Sequence, residues 1–410
     1  VFIFENQLSN RMPKTYKLAI LIFVLLFVFG IVSFLVSSLF CYFYDFSNSV
    51  QSPSVLHRKR IIGYVSSDEG SEITIKQLEK LTHVIFAFIL VHKDGTIKFK
   101  YGTKDGFFDM KRKSMELNRG LKVMVSIGGY ESSPLFSDVL VKKKKKLIAS
   151  IALLVKKFDL DGVDIFWNWP SITDQSNYLI FIRELRKKLT NLKDENGRSN
   201  EYVISVIAPS SSSHSEYPYK WTEILENVDF INVITFEYFY EANKIGPHSP
   251  LYGGSFGNVD DTLKYLICRT RTPNKLNMVV SFNGIYWGNT TLPFDDKGVW
   301  IPDDSAQGPY SYGWKQFARM SHGFDQNDFE WNEETRTPYI WKADTQQFLT
   351  FENEKSLTEK MNYAVAHNIG GVAMYTIDDD DEENTLLNVV VTNLPSLKKS
   401  GGETKYNCTR

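Results

Sequence analysis

Eight short apolar runs, many of them β-branched, recur along the chain from position 60 onward, separated by stretches whose apolar positions fall at helical spacing. The runs are Ile61–Val65, His83–Val91, Lys122–Ile127, Gly162–Trp167, Tyr202–Ala208, Phe230–Thr235, Asn277–Phe282 and Gly371–Tyr375. They are nearly continuous instead of alternating, as expected of strands covered on both faces in a parallel sheet. Between them, Lys146–Lys157, Ser176–Lys193 and Lys355–Asn368 read as amphipathic helices. In the last, Leu357, Met361 and Tyr363–Val365 take one side and the charged positions the other. Eight strands alternating with helices over about 330 residues predict an α/β fold, a (β/α)8 TIM barrel, with a doubly wound open sheet as the alternative. The interval from Asn283 to Ile369 is longer than a barrel loop needs and contains Gly308–Trp314 and Trp331–Trp341. A small α+β insertion over about 288–350 is therefore expected between the seventh and eighth strands.

Ahead of the barrel, Leu18 to Tyr44 carries no charge. A spanning helix needs roughly 20 apolar residues, whereas a signal-peptide core has about 7–15. The expectation is one transmembrane helix, a signal-anchor over 18–44. Arg11, Lys14 and Lys17 precede it and Asp45 follows it. The positive-inside rule then makes 1–17 a cytoplasmic tail and the chain a single-pass type II membrane protein with a lumenal or extracellular barrel. Ser37 and Ser38 leave secretion after cleavage as the alternative, and Met12 is a possible true start. Residues 45–59, Ser-rich with Pro53, read as a linker, 60–400 as the barrel and 401–410 as a C-terminal tail. The sequons at Asn289 and Asn407 agree with a non-cytosolic body as glycosylation positions.

Composition narrows the chemistry. A net charge of -1 gives no electrostatic case for nucleic acid. Aromatic residues at 14% form a rich core or line a sugar cleft. Of three cysteines, Cys41 lies in the apolar run, leaving Cys268 and Cys408 either paired or free. No zinc spacing is present, and Asp378–Glu383 lacks the pattern of a calcium loop, so neither metal nor cofactor is expected. Lys142–Lys146 reads as the solvated first turn of a helix.

The segment from Phe158 to Pro170, Phe-Asp-Leu-Asp-Gly-Val-Asp-Ile-Phe-Trp-Asn-Trp-Pro, resembles D-G-x-D-x-D-W-E-Y-P, the fourth-strand signature of family 18 glycoside hydrolases. Ser126-Ile127-Gly128-Gly129 is similar to the family's S-x-G-G, and Asp229–Tyr238 to its sixth-strand D-F-I-N-V-M-T-Y-D. Gly370–Tyr375 with Asp378 and Asp380 resembles the eighth-strand G-G-x-M-x-W-x-x-D-x-D-D, and Thr337–Tyr339 and Phe351–Ser356 resemble the end of its insertion. The resemblance, especially to membrane-anchored chitinase-like members, covers most of the chain beyond the linker. It implies that Asp, Asp and Glu at alternate positions point into the barrel, with Glu as the acid and the substrate's acetamide as nucleophile.

Here those three positions are Asp164, Phe166 and Asn168. A carboxamide has no acidic proton to give, and a phenyl ring cannot orient an acetamide. Loss of a general acid costs about 10²–10⁴ in rate. The family's sixth-strand Tyr-Asp is Phe236-Glu237, and its eighth-strand Trp is Tyr375. Asp161 and Asp164 read as supports of the strand. No residue is assigned as catalytic, and the chain is expected to be a chitinase-like protein that binds chitin oligosaccharide without hydrolysing it. Candidate binding residues are Tyr64, Trp167, Trp169, Phe236, Glu237, Tyr238, Tyr286, Trp287 and Tyr375; each aromatic has core packing as its rival role. The alternatives are a surface module for an unknown protein ligand with its cleft unused, and a residual glycosidase using Glu237.

Overall fold

A computed structural model describes residues 59–410, except 69–70, 118–119, 211–218, 241–244, 292, 295–299, 301–302, 319–323, 326–327, 395–405, 407 and 409–410. In chain order the strands are β1 (Arg60–Ser66), β2 (His83–Val91), β3 (Ile97–Phe99), β4 (Lys122–Gly128), β5 (Gly162–Phe166), β6 (Val203–Ala208) and β7 (Phe230–Ile234). They continue as β8 (Leu276–Ser281), β9 (Asn283–Gly288), β10 (Gln307–Gly313), β11 (Glu330–Asn332), β12 (Thr337–Lys342), β13 (Gln347–Thr350) and β14 (Gly371–Tyr375). The parallel order β1-β14-β8-β7-β6-β5-β4-β2 returns to β1 through the β1–β2 pairing, so the sheet closes as an eight-stranded barrel. The doubly wound alternative has no such closure.

Two apolar layers follow from strand alternation. Val163 and Ile165 of β5, with Trp167, join the layer between sheet and helices, whereas Tyr64, Ile85, Met124, Phe166 and Ile234 fill the barrel interior. The helices begin where polar side chains can hold the first free N–H groups. Asn258 accepts from Asp261 N at the start of Val259–Thr270, and Asn353 forms a capping box with Ser356 at the start of Glu354–Ala366. Such a cap contributes about 1 kcal/mol. The lysine run divides two helices: Lys142 closes Ser133–Lys142 and Lys144 opens Lys144–Lys157. Asp380 and Asp381 accept from Leu386 N, Leu387 N and Thr385 N, which gives this acidic run a capping role before Thr385–Asn393.

Between β8 and β14 the chain forms an antiparallel sheet in the order β10-β9-β13-β12-β11, beginning at Asn283 and so slightly before the expected insertion. Cys268, on the helix Val259–Thr270, is bonded to Cys408, with their Cα atoms 5.5 Å apart. The expectation of a single-pass type II membrane protein is corrected. Among the described residues no helix is long and apolar enough to cross a membrane. The run 18–44 on which it rested lies outside those residues, as do the tail 1–17, most of the linker 45–59, Cys41 and the sequon asparagine Asn407.

Candidate functional site

The interior of the barrel is organised by one carboxylate. β5 places Asp164 inward, in register with Ser126 of β4 and Ser205 of β6. Asp164 Oδ2 accepts from Ser126 Oγ at 2.7 Å and from Tyr64 OH at 3.1 Å. Its Oδ1 accepts from Ser205 Oγ at 2.6 Å and from Asn232 Nδ2 at 3.3 Å. The network runs on through Asn277, whose Nδ2 donates to Asn232 Oδ1 at 2.8 Å, to Arg60, whose Nε donates to Asn277 Oδ1 at 2.8 Å. Four donors occupy the lone-pair positions of a carboxylate that is 0% exposed. Burial raises its pKa, against the pull of Ser205, Ser126, Tyr64 and Asn232. Asp164 therefore has no acceptor capacity to offer a ligand.

Phe166 lies above this layer and covers it with carbon. Its ring centroid is 4.7 Å from Phe88, 6.4 Å from Tyr64 and 6.2 Å from Tyr375, which stacks in turn on Phe236 at 5.7 Å. Trp169 packs partly buried against the same interior cluster. Gly128, which ends β4, and Gly129 just after it allow this closeness. A Cβ on Gly128 (φ 124°) would meet Phe166 O at 2.2 Å, and one on Gly129 (φ 80°) would meet the Phe88 ring at 2.7 Å. Gly129→Ala is expected to cost about 1–3 kcal/mol from backbone strain and overpacking. An unchanged midpoint in urea unfolding would contradict that contact.

Asn168 is half-buried and turned to the wall. Ser133 Oγ lies 2.6 Å from Asn168 Oδ1, within donating distance, and accepts Asn168 N–H at 3.0 Å. Glu237 stands exposed just beyond β7 in the left-handed region (φ 64°). Solvent reaches the residue, yet the protein crowding its carboxyl removes enough water to raise it to about 7. Beside Tyr375 and Phe88 a cavity of about 170 Å³ opens, with Asp68, Lys100, Tyr130 and Glu131 on its walls.

The structure brings Phe166, Trp169, Phe236 and Tyr375 together at the mouth, with Tyr64 buried beneath them. It separates the others. Trp167 faces outward, stacked on Phe136 at 5.1 Å, because it lies one residue from Phe166 on the opposite side of the strand. Tyr238 also belongs to the outer layer, its hydroxyl 2.7 Å from Thr262 Oγ1. Trp287 is fully buried in the inserted sheet against Phe348. These three are corrected from cleft residues to core. Tyr286 has Tyr310, Tyr312 and Phe324 as ring neighbours within the insertion. Asp161 sits before the start of β5 and accepts from Val123 N at 2.9 Å and Lys122 Nζ at 3.2 Å, with Arg198 as a further partner. Asn289 is exposed, and its amide donates to Ser305 O at 2.8 Å. Phe88 and Tyr130 were missed; their signal was position alone, Phe88 towards the C-terminal end of β2 and Tyr130 just after β4.

Comparison with known proteins agrees with this architecture. Residues 60–380 match the family described as glycosyl hydrolases family 18. The chain is 24% identical over 318 residues to Chitinase A1 of Niallia circulans, covering 71% of this chain and 45% of that one. It is 24% identical over 325 residues to a probable endochitinase of Caenorhabditis elegans (73% and 52%), so it spans about half the length of these two relatives. Chitinase-3-like protein 2 of Homo sapiens is 23% identical over 361 residues (84% and 87%). Among solved structures, a class V chitinase from Nicotiana tobaccum superposes with a TM-score of 0.72 at 16% identity, covering 82% of this chain and 99% of that one. A chitinase-like agglutinin from Robinia pseudoacacia gives 0.70 at 20% identity over the same shares. A closed eight-stranded barrel carrying an inserted antiparallel sheet, together with a match that spans most of the chain, places this protein among the glycosyl hydrolases of family 18.

Proposed function

We propose that this protein binds an amino-sugar oligosaccharide at the barrel mouth and does not hydrolyse it. The observation that carries the reading is the residue pair above Asp164. Phe166 occupies the next inward position with a hydrocarbon ring, and Asn168 holds its carboxamide against Ser133. A general acid must have a proton to give and reach the leaving oxygen; neither side chain has one. What the mouth offers instead is aromatic area, against which the C–H faces of a sugar pack at little entropic cost. Two solved relatives support this reading: a variant of the Nicotiana chitinase was solved in complex with NAG4, and the Robinia protein is described as an agglutinin.

The test pairs calorimetry with a hydrolysis assay on the full chain. Saturable heat with chitin or glucosamine hexasaccharide, without product on chromatography, is expected. Shortening of the oligosaccharide by the purified chain, abolished by Glu237→Gln, would instead establish a glycosidase using the exposed acid. Heat from neither oligosaccharide at millimolar ligand, about the weak limit of specific recognition, would refute glycan binding.

A further inference from the structure

We infer that the mouth selects a cationic amino sugar, a glucosamine-type oligosaccharide bearing free ammonium groups, over its N-acetylated counterpart. This deepens the proposed function and rests on it. An acetamide presents a carbonyl and an N–H, and its recognition in a dry site needs buried polar partners. The polar groups nearest the axis are already engaged. Asp164 holds four donors beneath Phe166, Asn232 is bonded to Tyr64 and Asn277, and Asn168 is bonded to Ser133. The ring surface at the cavity is that of Phe88 and Tyr375, backed by the buried rings of Phe166 and Phe236. Aromatic faces attract an ammonium through their quadrupole, and assemblies of several rings recognise such groups.

Charge around the rings acts in the same direction. Burial first, then the carboxylates of Glu237, Asp68, Asp378 and Asp379, push the Tyr375 phenol above its ordinary pKa, while burial also raises Glu237 to about 7 and Asp379 to about 6. Glu237 and Asp68 approach from separate loops, after β7 and β1 respectively. Two cations lie near, and both are engaged. Lys100 Nζ is 2.6 Å from Glu131 Oε1 and 3.8 Å from Asp68 Oδ1, and Lys315 Nζ donates to Asp378 O at 2.7 Å. Among the described residues the cavity wall carries the carboxylates of Asp68 and Glu131 against one ammonium, that of Lys100, and a positive ligand reduces that imbalance where a neutral one does not.

The experiment is calorimetry of the full chain with three probes of equal length: glucosamine hexasaccharide, N-acetylglucosamine hexasaccharide and cellohexaose. At neutral pH and low salt the glucosamine oligomer is expected to bind at least tenfold more tightly than the acetylated one. That advantage should shrink as salt rises. Asp68→Asn should reduce it several-fold, and Glu237→Gln by less because that carboxyl is only partly ionised at neutral pH, both leaving the melting temperature unchanged. Equal or tighter binding of the acetylated oligomer overturns the inference but leaves glycan binding intact. A preference that survives both substitutions and high salt also overturns it. Heat from none of the three probes overturns this inference and the proposed function together.

Discussion

Asp164→Ala is expected to lower the stability of the barrel by about 3–5 kcal/mol, although the residue touches no solvent and no ligand. The substitution removes the acceptor of Ser126, Ser205, Tyr64 and Asn232 at once. Each of those groups stays buried in the interior, and an unsatisfied buried donor costs about 1–3 kcal/mol before relaxation. Asp164→Asn keeps one acceptor oxygen but turns an NH2 toward hydroxyl and amide donors, so a smaller loss of about 1–2 kcal/mol is expected. Urea unfolding followed by tryptophan fluorescence reads both. Equal midpoints for the wild type and both variants would mean that the carboxylate does not organise the interior.

The second large effect lies in a buried ion pair of the helix Glu354–Ala366. Lys360, on the helix Glu354–Ala366, is fully buried and paired with Glu352 just before that helix. Its ammonium also donates to Ser249 O at 2.7 Å, and Glu352 Oε2 accepts from Ser356 Oγ at 2.6 Å. Burial lowers the Lys360 pKa, and the Glu352 carboxylate resists that fall. Glu352→Ala removes the resistance and leaves a buried charge unmatched, a loss of about 3–5 kcal/mol. The sign of the pH response follows. In the variant the folded state holds its Lys360 proton less tightly than the unfolded chain does. The unfolded state therefore binds more protons, and stability recovers as pH rises toward about 10.4, where an unfolded lysine loses its own proton. The double variant Glu352→Leu with Lys360→Met exchanges the pair for apolar volume and should lie near wild type, without that pH slope. A single variant as stable as wild type, or a slope of opposite sign, would refute the account.

The barrel was legible because its strands are buried on both faces. Runs such as His83–Val91 and Gly371–Tyr375 coincide with the strands found, and the others shift by a residue or so at either end. The site was less legible. Strand parity correctly sends Asp164 and Phe166 inward, and the same parity sends Trp167 outward; grouping it with Trp169 by residue type ignored that rule. Parity holds through Phe236, inward like Ile234, and fails at Glu237, which takes a left-handed conformation and leaves Tyr238 facing outward, so the directions of Glu237 and Tyr238 were not readable from alternation. Trp287 resembled a cleft residue because the inserted sheet's own core is also aromatic. Phe88 and Tyr130 carry no motif, and only the folded chain places them beside Tyr375 at one cavity.

The bond between Cys268 and Cys408 has a topological consequence for how this barrel comes apart. It turns the last third of the chain into a covalent circle with a sequence separation of 140, and that circle contains β8, the whole inserted sheet and β14. A barrel has no edge at which to begin fraying, yet here its circumference is unequally fastened. Strands β1 to β7 belong to an open chain and gain their full conformational freedom when they detach. β8 and β14 remain leashed to one another even when unfolded, which lowers the entropy they gain. Partial opening is thereby directed to the β1–β14 and β7–β8 seams, where the free arc meets the closed one.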